Sequence, residues 1–217
     1  MTETISTWQK REEVYKHVLG VISQLQNMYL SGEGQNHAAR QLAELRRAVG
    51  KEPGSNPNIW RLEFENMPTA IQGKGSNASE GERAIHIALT LYAVHQQSRQ
   101  TGMHCQGRGD KYDFGAAIRR LVACQRNGEN LKEGELPRRF AAMITSDSIE
   151  ELAHYARQLV GMLRAESIPF DYARFAGQLF DYQYSFLRDS VRLQWGRAYA
   201  RSSAVEDTEA KNDESAE

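Results

Sequence analysis

Cysteine is nearly absent: Cys105 and Cys124 are the two in 217 residues. That excludes a disulfide framework for a chain of this size and fits a reduced cytoplasm. Long apolar runs are missing too. The opening MTETISTWQKREEV carries no stretch suited to a signal peptide, and no segment approaches the length of a membrane span. Nor does any segment alternate apolar and polar residues long enough to argue for a sheet. Proline is scarce, five in all, and Pro53, Pro57, Pro137 and Pro169 fall at loops or segment starts rather than inside periodic stretches. Net charge is small at −1, but that figure hides a polarity along the chain.

Residues 202–217 (SSAVEDTEAKNDESAE) hold six acids and one lysine, a net of −5, so 1–201 carry +4 of the total of −1. The terminal stretch has almost no large apolar residue and is expected to be a disordered acidic tail. Within the body, 99–139 contain nine basic residues and five acids. Arginine supplies 20 of the 27 basic residues. It recurs as Arg46–Arg47, Arg119–Arg120 and Arg138–Arg139, and at i,i+4 as Arg188/Arg192 and Arg197/Arg201. Like charges four apart cost an isolated helix about 0.2–0.5 kcal/mol. An external anion would offset that cost, and a planar guanidinium fits phosphate well. Arginine-rich solvated surface is the plainer explanation of the same pattern.

Apolar residues three and four apart predict helices almost throughout. Trp8, Val14 or Tyr15, Val18, Ile22, Leu25 and Tyr29 mark the first, ending at Ser31-Gly32-Glu33-Gly34. Ala38, Leu42, Leu45 and Val49 mark a second, with Asn36 as N-cap and Gly50 as stop. After a loop at 51–58, Ile59 to Phe64 read as a short helix, and 72–79 as a second loop. Ser79 and Glu82 form a capping box for 80–98, apolar on most sides and therefore central. A stripe of Phe114, Ala117, Ile118 and Leu121 turns Arg119, Arg120 and Arg126 outward. Ser148 and Glu151 form a capping box for 149–165. The last helices lie either side of a break near Asp181. The fold class is all-α, a helical bundle in two packed subdomains, 1–104 and 105–201, followed by the tail at 202–217.

Enzyme signatures lack their context. Gly73-Lys-Gly75-Ser-Asn-Ala78 matches a dinucleotide fingerprint, but no strand precedes it, so an interhelical loop fits better. Glu151-x-x-His154 has no second copy, Glu13/His17 and Glu82/His86 are spaced four apart rather than three, and His104-Cys105 lacks further zinc ligands. His86 and His95 read as core histidines. Nearly all the aromatics fall at core-facing helical positions and read as packing rather than as a base-stacking platform. No catalytic residue, metal or cofactor is expected, and any nucleic acid would be held by its backbone with little sequence readout.

Several segments, in order, carry a resemblance. They are Gly81-Glu-Arg-Ala-Ile-His-Ile-Ala-Leu-Thr-Leu-Tyr-Ala-Val-His-Gln-Gln-Ser98, Met103-His104 with Gly107, and Phe114-Gly115-Ala-Ala-Ile-Arg-Arg-Leu121. Arg138-Arg139-Phe140, Ser148-Ile-Glu-Glu-Leu-Ala-His154 and Val191-Arg192-x-x-Trp195-Gly196-Arg197-x-Tyr199 follow. Over roughly 55–200 the chain resembles the CasB family, the small subunit of the type I-E CRISPR Cascade complex. The resemblance implies an all-helical, non-catalytic protein of antiviral defence. It would be present as two copies beside crRNA-bearing subunits, holding target and displaced DNA strands in the R-loop while a separate nuclease cuts. By the same resemblance, Arg108, Arg119, Arg120, Arg138 and Arg139 fall in the family's basic central segments, and Arg192 and Arg197 in its terminal motif. Lys111 and Arg126, in the basic 99–139 stretch, complete the candidate nucleic-acid contacts. The acidic tail is not part of the family pattern. The alternative from another class is a helical protein–protein adaptor whose arginines meet acidic partners.

Overall fold

The periodicities resolve into nine α-helices among the described residues. The computed structural model describes residues 5–107, 109–127 and 135–201, those at 126, 127 and 135 by backbone alone. Arg108, the side chain of Arg126 and the expected acidic tail at 202–217 therefore lie outside the described residues. In chain order the helices are α1 Thr7–Ser31, α2 Gln35–Arg47, α3 Trp60–Phe64, α4 Glu80–Gln96, α5 Phe114–Asn127, α6 Glu135–Thr145, α7 Ile149–Ala165, α8 Tyr172–Tyr182 and α9 Ser185–Ala200, with a 3-10 turn at Pro57–Ile59. No strand occurs among the described residues, only a single parallel bridge between His104 and Phe170. The protein is all-α.

Local signals set several of these boundaries. Ser6 caps α1 and Ser79 caps α4, each with both halves of a capping box. Asp171 caps α8 by accepting from the Arg174 amide at 3.0 Å. Two expected caps differ. Helix α2 begins at Gln35 rather than after Asn36, because Gly32 and Gly34 take φ of 85° and 77° and turn the chain straight into the helix without a side-chain cap. At α7 the Ser148 hydroxyl accepts from the Glu151 amide, but the Glu151 carboxylate reaches back to the Asp147 amide at 3.2 Å, so half of the expected box is made.

Helix α4 is the central element. Ile85, Ala88, Leu89, Tyr92 and Ala93 are buried around it, with α1, α2, α7 and α8 packed on its sides. Helix α1 lies along α8, α6 along α7, and α9 crosses α5 and α8. A Cβ at Gly115 would run into the Trp195 backbone carbonyl, so the close α5–α9 crossing requires glycine there. One hydrophobic core holds residues from both sides of residue 104. Segment 103–105 is hydrogen-bonded to Phe170 from both directions, at 3.3 and 3.4 Å.

The aromatics are less uniformly internal than their spacing predicts. Trp8 is 62% exposed, Trp60 48% and Phe186 71%. Trp8 belongs to the α1 stripe by periodicity, yet Arg11 already meets Asp181 near the end of α8, at 3.2 Å. One turn earlier α1 has run past its partner, and Trp8 has nothing to pack on.

A candidate nucleic-acid interface at the end of α9

Two acids of the basic 99–139 stretch are consumed inside the protein. Asp113 is buried, and its carboxylate accepts from the Gly115 amide at 2.9 Å and Gln178 Nε2 at 2.7 Å, with Arg174 Nε at 3.2 Å. Burial pushes the Asp113 carboxyl above its ordinary value, with Arg174 opposing. The same guanidinium holds Asp110 at 2.6 Å, and Arg201 from the end of α9 reaches the other Asp110 oxygen at 3.2 Å. These carboxylates are committed to Arg174 and Arg201.

Lys111 is exposed, its ammonium 5.6 Å from the Tyr112 ring centroid. Arg197, in the last turn of α9, is exposed and has no side-chain hydrogen bond or ion pair among the described residues. The Arg201–Asp110 pair brings this turn beside the 109–113 segment. Contact of Phe140 with Tyr199, ring centroids 5.3 Å apart, brings α6 to the same end. Arg138, two residues before Phe140, is likewise exposed and without a side-chain partner among the described residues. The structure thus brings Lys111, Arg138 and Arg197 to one end of the molecule.

The other candidate arginines whose side chains are described, Arg119, Arg120, Arg139 and Arg192, are engaged within the chain. Arg120 donates to the Pro169 carbonyl at 2.7 Å and lies 5.7 Å from the Tyr112 ring centroid. Arg139 donates to Gln158 at 3.2 Å, and Arg119 is half-buried with interactions of its own. Arg192 closes off the end of α6: Nε donates to the Ile144 carbonyl at 2.7 Å and Nη2 to the Ser146 carbonyl at 3.3 Å, with Asp189 at 3.1 Å. Its guanidinium and that of Arg188 both lie against Tyr182, at 5.7 and 5.2 Å from the ring centroid. The i,i+4 arginine pair is therefore relieved by an aromatic face and by carbonyls that a helix end leaves unsatisfied. Arg192→Ala should lower stability by about 1–2 kcal/mol through loss of these charge-assisted bonds. Thermal melting checks this. Arg192→Ala melting with the parent would show that the clamp contributes nothing.

Among the described residues no group of three or more histidines, cysteines or carboxylates could hold a metal. The glycine-rich loop at 73–78 folds onto the α4 cap, its Gly73 amide donating to Glu82 at 3.0 Å. His154 accepts from Gln158 at 2.8 Å. No helix among the described residues is long and apolar enough to cross a membrane. Lys51, Arg83 and Arg157 escape a search for paired arginines, since each stands alone in the sequence. They converge on one cleft between the turn after α2, α4 and α7.

Comparison with known proteins agrees with this architecture. The family model described as CRISPR-associated protein Cse2 matches residues 41–199. A crystal structure of CasB from Thermobifida fusca is similar, at 30% identity with a TM-score of 0.68, covering 87% of this chain and 98% of that one. A CRISPR-associated protein of the Cse2 family from Thermus thermophilus is 21% identical with a TM-score of 0.57, covering 84% of this chain and 96% of that one. The second likeness concerns the fold. No curated protein matches the sequence.

Proposed function

The chain belongs to the CRISPR-associated Cse2 family, and from that premise we propose that it is the small subunit of the type I-E Cascade ribonucleoprotein. It works in the cytoplasm without catalysing a reaction, and it holds nucleic-acid backbone so as to stabilise the R-loop. Its partners are the other Cascade subunits with their crRNA, the target and displaced DNA strands, and a second copy of itself. The observation that carries the nucleic-acid part is the set of Lys111, Arg138 and Arg197, exposed at one end without carboxylate partners among the described residues. Arg108 and Arg126 belong to the same candidate set by sequence. Arg119, Arg120, Arg139 and Arg192 complete it, contributing positive potential around internal bonds.

The energetics make a modest contact set sufficient. Exchange of a DNA duplex for an RNA–DNA heteroduplex is nearly balanced, so a few backbone contacts decide whether the loop stays open. Guide pairing carries the sequence information, and the subunit needs to read none. Among the described residues no row of exposed aromatics accompanies the three cations, which favours phosphate contact over base stacking.

Replacing Lys111, Arg138 and Arg197 with Ala together should leave folding intact, each surface change costing no more than about 0.5 kcal/mol. Affinity for single-stranded DNA should fall, and the slope of log K against log salt should flatten by about 0.7 per lost phosphate contact, or about 2 in all. Parent and variant should both bind scrambled oligonucleotides of equal length within tenfold of one another. Discrimination beyond that, about 1.4 kcal/mol, would mean base readout. An unchanged slope would remove these three residues from the interface.

A further inference from the structure

A cleft of about 270 Å³ opens between the turn after α2, the N-terminal half of α4 and the first turns of α7. Its floor is apolar: Val49, Ile87, Leu91 and Ala153 line it. Its rim carries three cations beside the carboxylates of Glu52 and Glu150. Lys51, Arg83 and Arg157 stand around the opening, and none makes a side-chain hydrogen bond or ion pair among the described residues. The wall carrying Lys51 is fixed. Buried His86 meets Glu63 through Nδ1 and the Ala48 carbonyl through Nε2, at 3.2 Å for the latter. Gly50 then turns the chain with φ of 76°, in the left-handed region. The turn fixes the backbone of Lys51 beside the floor, so the backbone of this wall need not be ordered on binding.

We propose that this cleft docks an acidic polypeptide segment of another subunit, with one apolar side chain on the floor and flanking carboxylates on Lys51, Arg83 and Arg157. The proposal rests on the assembly reading only for the source of the partner. Three features favour polypeptide over nucleic acid. An apolar floor offers nothing to a phosphate, and no Phe, Tyr or Trp lines the cleft to stack a base. Of its two imidazoles, His86 is buried and bonded at both nitrogens, and His154 is bonded to Gln158. Glu52 and Glu150 also stand on the rim. They repel a continuous phosphodiester, whereas discrete carboxylates separated by neutral residues can pass between them.

The test places a photoreactive benzoylphenylalanine at exposed Glu150 in the full chain, assembles the complex from its subunits and guide RNA, and identifies cross-links by mass spectrometry. The expected product is a subunit peptide with an apolar residue between carboxylates. It should be lost when Lys51, Arg83 and Arg157 are all changed to Glu, and at least tenfold weaker with Arg157→Glu alone, which lies on the surface and spares the fold. Affinity of the isolated triple variant for scrambled single-stranded DNA should remain within about threefold of the parent, since the end of α9 is untouched. A cross-link to nucleic acid, to a segment without carboxylates, or one that survives charge reversal overturns the docking site. Incorporation of the chain without any cross-link overturns it as well, leaving the assembly reading intact. Exclusion of the unsubstituted chain from the complex overturns both.

Discussion

Trp195→Ala should destabilise the protein by about 3–5 kcal/mol, a large part of the 5–15 kcal/mol typical of a folded domain. The indole is fully buried where α9 crosses α5 and α8. It stacks on Tyr182 with centroids 5.9 Å apart and lies 6.1 Å from Phe175 and 6.2 Å from Phe114. Its Nε1 donates to Gln178 at 2.7 Å, and Gln178 in turn donates to Asp113. Truncation leaves a cavity and also strips a partner from a buried amide, so the two costs add. Trp195→Phe keeps most of the volume and should lose much less, which separates cavity from hydrogen bond. At about 2–4 °C per kcal/mol for a chain of this length, the alanine variant should melt about 6–20 °C lower. An alanine variant that melts with the parent but no longer binds nucleic acid would make Trp195 a stacking surface instead.

Acid should unfold the protein well before its carboxylates are all protonated. Burial lowers the pKa of His95 from 6.5 to about 3, and that of His104 from 6.5 to about 4. His104 has a structural reason to stay neutral: its Nδ1 accepts from the Tyr172 amide at 3.1 Å, a bond that a proton on that nitrogen would abolish. The sign follows from where the proton binds. Below pH 6.5 the unfolded chain takes up protons that the folded chain refuses, so stability falls as pH drops from 6.5 toward 4, by about 3 kcal/mol for each histidine at pH 4. Asp113, Asp171 and Asp181 are shifted upward, chiefly by burial. They protonate more readily in the folded state and offset part of the loss. The melting temperature measured from pH 7 to pH 4 should therefore decline steeply. His104→Asn, whose amide oxygen can replace the acceptor, should flatten the decline. Equal slopes for parent and variant would rule His104 out as a cause.

Much of the fold was legible in the sequence because helices are local objects. The 3.6-residue period located α1, α4 and α7, and the Ser79–Glu82 pair announced its cap, since all the atoms involved lie within one turn. Failures came where a second element or a backbone turn intervened. Gly32 and Gly34 displaced Asn36 as the entry to α2. Trp8 lost its partner because α8 ends where it does, which no α1 sequence encodes. The candidate interface was readable in the same partial way. Clustered arginines marked the basic region, but their fate depends on groups far along the chain. Arg120 meets a carbonyl 49 residues away and Arg192 one 48 residues away. Those carbonyls belong to the backbone and leave no residue-type signal. Lys51, Arg83 and Arg157 went unread for the opposite reason: three isolated cations become a cluster only when α2, α4 and α7 pack.

The nucleic-acid role is tested most directly by R-loop formation in the reconstituted complex, assembled with the parent chain, with the Lys111, Arg138 and Arg197 triple alanine variant, or without the chain. Binding of a matched and a mismatched duplex target would be followed across a salt series. The account predicts that the variant enters the complex, that the R-loop is weakened with a flatter salt dependence, and that discrimination between matched and mismatched targets is unchanged because pairing carries it. An R-loop equally stable, with the same slope, in all three assemblies would contradict it.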